Sequence, residues 1–104
     1  MRRVARTVDP KRIPEELDLA WQLFDNEEYD EAHRLAGAIL LAGPQGEEAV
    51  DAYHLRGEIL LAKGDTAAAR PNFARAYALL GDDKGLQAQA PERLARLKRL
   101  GGAE

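Results

Sequence analysis

The chain has 104 residues, is 45% hydrophobic but only 6% aromatic, lacks cysteine and carries a net charge of −3. That length makes one domain with a modest core, and an interior drawn mainly from Leu and Ala suits closely packed helices better than a β-sandwich. The missing cysteine excludes disulfides, thiolate metal sites and cysteine nucleophiles together. The longest unbroken apolar run, Ala38 to Ala42, is far short of the roughly 20 residues of a membrane span. Asp9, Pro10, Lys11 and Arg12 stand where a signal peptide needs an apolar core, so a cytoplasmic protein with no membrane partner is expected.

Residues 1–12 read as a flexible basic arm, with Arg2, Arg3, Arg6, Lys11 and Arg12 against Asp9, and Val4 and Val8 isolated. Pro14 fits the first position of a helix to Asp25, with Glu15 and Glu16 near the positive end of its dipole. After Asn26-Glu27-Glu28 the helical spacing resumes at Tyr29 and runs to Leu41, before the strong break Gly43-Pro44-Gln45-Gly46. The short connection makes these two helices an antiparallel hairpin.

A third helix opens at Glu47-Glu48 and contains Gly57, whose cost of about 1 kcal/mol relative to alanine points to the close approach of another helix. Gly64 suits a left-handed cap, and Asp65 suits the N-cap of a fourth helix running to Gly81. Pro71, a turn and a half in, should bend that helix rather than end it. Residues 86–100 form a last amphipathic segment, one bent helix or two short ones divided at Pro91, and 101–104 a disordered tail.

Sliding the sequence against itself by 37 residues superimposes the two hairpins: Ala20 falls on Gly57, Leu23 on Leu60, Glu28 on Asp65, Ala32 on Ala69 and Pro44 on Gly81. The second copy carries Tyr53, Gly57, Leu60, Gly64-Asp65, Ala69, Phe73 and Ala76, and the first has Tyr29, Glu31-Ala32 and Pro44. These positions resemble the tetratricopeptide repeat family, in which helix–turn–helix units of about 34 residues pack through small residues at their crossings. The resemblance implies an all-α protein of antiparallel hairpins stacked as a short right-handed solenoid over residues 13–100. Its repeats would cover about 13–46 and 50–83, with a capping helix at 86–100.

The resemblance also implies a concave groove lined by the first helix of each hairpin. Carried onto this chain, the groove comprises Leu17, Asp18, Trp21, Phe24 and Asp25, then Asp51, His54, Leu55, Glu58 and Leu61. It is apolar and acidic, so the expected partner is a protein or peptide segment that is basic and partly apolar. Trp21 is either its anchor or a packing residue within the stack. Because two hairpins fall short of the three that usually stabilise a solenoid, self-association into a homodimer is the alternative, with Trp21 or the stripe Leu94, Leu97 and Leu100 as interface.

Other chemistries have thin support. His33 and His54 lie on different helices, serine and cysteine are absent, and Thr66 is the nearest thing to a nucleophile, so no catalytic residue is assigned. Asp51, His54 and Glu58 share a helix face at metal-compatible spacing, yet ordinary binding is the simpler reading, and neither metal nor cofactor is assigned. The basic arm and the Arg93, Arg96, Arg99 stripe raise nucleic acid, but the acidic body and the lack of interleaved aromatics argue against it. Eleven arginines against four lysines point faintly to a bacterial source.

Overall fold

The helical spacing becomes six α-helices in the computed structural model, which describes residues 7–81 and 83–102; no strand occurs among them. Arg2, Arg3 and Arg6 of the expected arm, Asp82 at the end of the second repeat and residues 103–104 of the expected tail lie outside the described residues. In chain order the helices are α1 (Ile13–Asp25), α2 (Tyr29–Leu41), α3 (Glu47–Ala62), α4 (Thr66–Gly81), α5 (Lys84–Gln89) and α6 (Pro91–Leu100).

The two hairpins turn in the same way, bond for bond. Glu28 N–H donates to Leu23 O at 2.8 Å and Glu27 N–H to Phe24 O at 2.9 Å; 37 residues later, Asp65 N–H donates to Leu60 O at 2.9 Å and Gly64 N–H to Leu61 O at 3.0 Å. Both are Schellman closures, which need a left-handed residue after the helix. Glu27 (φ 62) and Gly64 (φ 87) supply it, so the first turn asks of a glutamate what the second obtains from a glycine. Asp65 also accepts from Ala68 N–H at 3.1 Å and caps α4, whereas Glu28 makes no such side-chain bond to α2.

The repeat extends into the core. Ile13 and Val50, Leu17 and His54, Ala20 and Gly57, Ala32 and Ala69, Ala36 and Phe73, and Ile39 and Ala76 are each 37 apart, and every one is buried. Gly57 explains the most intimate contact: a Cβ there would lie 2.8 Å from Phe73 Cε1, so the ring occupies the space a side chain would need. Pro71 does not interrupt α4, which continues through it to Gly81.

α3 is the central helix, burying residues on nearly all sides. Leu55 and Ile59 join α1 and α2 in one apolar cluster with Ile13, Leu17, Leu35 and Ile39. Val50, on another side of α3, joins Phe73, Ala76, Leu80 and Leu97 in a second. The molecule measures 47 × 31 × 20 Å, and the shortest dimension is about two helix diameters.

Two expectations change and one open alternative is resolved. Val8, read as isolated in a flexible arm, is buried in the first cluster, and Asp9 caps a 3-10 turn over Pro10–Arg12 by accepting from Lys11 N–H at 2.9 Å. The last segment is two helices, because Pro91 drives the preceding Ala90 out of the helical region to φ −141, ψ 67. The stripe offered for self-association faces the body of its own chain: Leu97 is fully buried, and the half-buried Leu94 and Leu100 pack beside it on the second cluster.

Candidate functional site

At about 100° per residue, Asp51, His54 and Glu58 fall within a narrow arc of α3, and α1 brings Trp21 alongside. Trp21 is half-buried, and its indole N–H donates to Asp51 Oδ1 at 3.0 Å. The ring also meets His54 edge-on, with centroids 5.4 Å apart, and Phe24 at 5.8 Å. The indole is thus a strut between the first helices of the two hairpins.

The remaining partners come from α6. Arg93 Nη2 donates to the same Asp51 Oδ1 at 3.0 Å. Arg96 takes Glu58 in a fork, Nε on Oε2 and Nη2 on Oε1, the latter at 2.7 Å. Paired donors of this kind match a carboxylate in both geometry and charge. Burial works to raise the Glu58 carboxyl, but the hydrogen bonds from Arg96 and His54 prevail and hold it at about 2, while the same pairing raises the Arg96 guanidinium.

An ionised Glu58 also orients its neighbour. His54 Nε2 lies 2.9 Å from Glu58 Oε2, and a carboxylate can only accept, so Nε2 carries the hydrogen. His54 Nδ1 is buried with no hydrogen-bond partner among the described residues.

The other expected groove residues separate into four kinds. Leu55 is fully buried between α3 and the first hairpin and offers no surface to a ligand, a correction to its place in the groove. Leu17 is 3% exposed but borders an open cleft of about 300 Å³, shared with Pro14, Asp18, Glu47, Glu48, Asp51 and Arg93. Asp18 and Asp25 are exposed; Phe24 and Leu61 are half-buried against the first and second clusters.

The sequence reading missed Arg93 and Arg96. It weighed them, with Arg99, as a basic stripe for nucleic acid, and they lie on the acidic residues of their own chain. The signal was present: at helical spacing Arg93, Arg96, Leu97 and Leu100 fall within an arc of about 100°, so a helix that buries Leu97 must bring both arginines to the surface beneath it. The outward basic residues of α6 are Lys98 and Arg99, which thins the stripe that had raised nucleic acid.

With Asp51 and Glu58 so engaged, no group of three His, Cys, Asp or Glu among the described residues is placed to hold a metal ion. No helix among them is long and apolar enough to cross a membrane. No protein-family model matches the chain, and searches of curated proteins and of solved structures found no match.

Proposed function

We propose that this chain is a non-enzymatic protein-interaction module of two tetratricopeptide-like hairpins, which binds a basic, partly apolar segment of another protein along the α1 and α3 face. The observation that carries the reading is the pairing of Arg93 with Asp51 and Arg96 with Glu58: the face holds arginines on an amphipathic helix, here its own. The coincident turns and buried positions at an offset of 37 residues support the repeat architecture. Support for a site still open to a partner comes from the 300 Å³ cleft, where Asp18, Glu47 and Glu48 surround a floor of Leu17 and Pro14.

The test is titration of the full chain with a leucine-containing arginine peptide, followed by fluorescence anisotropy. Affinity should fall with added salt and drop several-fold in Asp18→Lys and Glu48→Lys, neither of which pairs with α6. Affinity indifferent to both substitutions would remove the groove assignment.

A further inference from the structure

Residues 84–102 are attached to the body in an uneven way. α5 buries no residue fully; Leu86 packs half-buried on the second cluster, and the Gln87 amide donates to the α4 carbonyls of Leu80 and Gly81 at 3.2 and 2.9 Å. α6 buries one residue fully, Leu97. Two close contacts complete the dock: Gly101, where a Cβ would lie 2.9 Å from the Ala74 backbone, and the two arginines on α3. A segment held by one fully buried leucine, the half-buried Leu86, Leu94 and Leu100 and part-exposed ion pairs belongs to the low end of local stability in a folded domain.

What this segment covers has the composition of a binding groove. Behind α6 lie the carboxylates of Asp51 and Glu58 and the apolar surface of Phe73 and Leu80. Their complement is written in α6 itself: an arginine, a second arginine three residues on, and a leucine immediately after, on one face of a helix. Both arginines find a carboxylate, and the leucine finds the apolar strip.

We propose that α6 is a built-in competitor for this groove, displaced by an amphipathic helix of another protein that presents Arg-x-x-Arg-Leu on one face. The inference rests on the interaction-module reading and adds to it the partner's pattern and a closed state. Residues 84–102 leave the groove, and the incoming helix takes over the Asp51 and Glu58 contacts. The tethered α6 acts at an effective concentration in the millimolar range for a short linker, so the closed chain binds the external helix with an affinity lowered by the fraction of time the groove is covered.

The experiment uses the full chain and a labelled synthetic peptide with the sequence of residues 84–102. In Arg93→Gln/Arg96→Gln the groove is intact but the competitor is weakened, and the peptide should bind at least ten-fold more tightly than to the unaltered chain. Lys98→Gln/Arg99→Gln makes the same charge change on the outward face and should leave affinity unchanged. Equal affinity for the unaltered chain and the Arg93/Arg96 variant would overturn the proposal, as would equal gains in both variants. Loss of cooperative unfolding in the Arg93/Arg96 variant would also overturn it, because a displaceable helix is dispensable to the fold. So would a concentration-dependent dimer of the unaltered chain, which would assign the groove to a second copy's α6. Sensitivity to Asp18→Lys tests the underlying module reading separately, since that residue lines the cleft beside Arg93 and is not one of the two carboxylates that hold α6.

Discussion

Arg96 and Glu58 lie 38 residues apart in sequence and meet in a two-nitrogen fork that joins the last helix to the central one. The pair stands where a side chain 11% exposed is covered by one 40% exposed, so the carboxylate is sheltered while the guanidinium keeps part of its hydration. That asymmetry favours net stabilisation, because the larger desolvation cost falls on the group with the most hydrogen bonds to offset it.

The pairing sets a pH dependence. Glu58 titrates at about 2 in the folded chain against an ordinary value of 4.5, so the native state binds fewer protons on this group than the unfolded state does between those values. Its stabilisation is therefore complete above the unfolded value and lost as pH falls from about 4.5 towards 2. Urea denaturation should show Glu58→Gln less stable than the unaltered chain by on the order of 1–3 kcal/mol at neutral pH, discounted for the exposed arginine. The gap should narrow as pH is lowered through that window. A gap of constant size would show that Glu58 contributes through shape rather than charge.

The close crossing of α3 and α4 makes a second prediction. Alanine at position 57 would gain about 1 kcal/mol of helix propensity, but its Cβ would meet three Phe73 ring atoms at 2.8–3.0 Å, and that ring is 1% exposed with nowhere to retreat. Gly57→Ala should therefore lower stability by about 1–3 kcal/mol, and Gly57→Leu by more. Pairing Gly57→Ala with Phe73→Leu should recover part of the loss, read as a favourable coupling in a double-mutant cycle. A melting temperature unchanged by Gly57→Ala would mean that the hairpin opens without penalty.

The two turns offer a transplant. Glu27 occupies the left-handed position that Gly64 fills in the second hairpin, and Glu28 stands where Asp65 caps α4. Glu27→Gly should stabilise the fold by up to about 1 kcal/mol by relieving backbone strain. Glu28→Asp should add about 0.5–1 kcal/mol by accepting the Glu31 N–H, which is the equivalent of Ala68. Thermal unfolding of both variants measures the gain. If neither change raised the midpoint, the two turns would not be energetically equivalent despite their matching hydrogen bonds.

Helix boundaries were legible because their signals are local. Gly43-Pro44, Gly64-Asp65 and Pro91 act on the backbone within a residue or two, so the breaks they announce fall where the structure has them. Glu27 gave no such signal, since nothing in a glutamate's chemistry marks a left-handed residue; its equivalence to Gly64 emerges once the turns are compared. Val8 was lost to its surroundings: one valine in a basic stretch has no period to read, and only the packing of α1 and α2 provides a place for it.

The candidate site was half legible for the same reason. Trp21, Asp51, His54 and Glu58 could be gathered by periodicity on helices one hairpin apart, and the structure brings those four together. Arg93 and Arg96 could not be added to them, because no local pattern says which surface an amphipathic helix will cover. By itself, the sequence determined the helices, the repeat offset and the small residues that let helices touch, all consequences of backbone preference and side-chain size at fixed spacing. Where the last helix docks was decided by the tertiary structure alone. That choice depends on one leucine finding an apolar strip formed by α3 and α4 and two arginines finding carboxylates on α3, and it covered a face that had been expected to stand open.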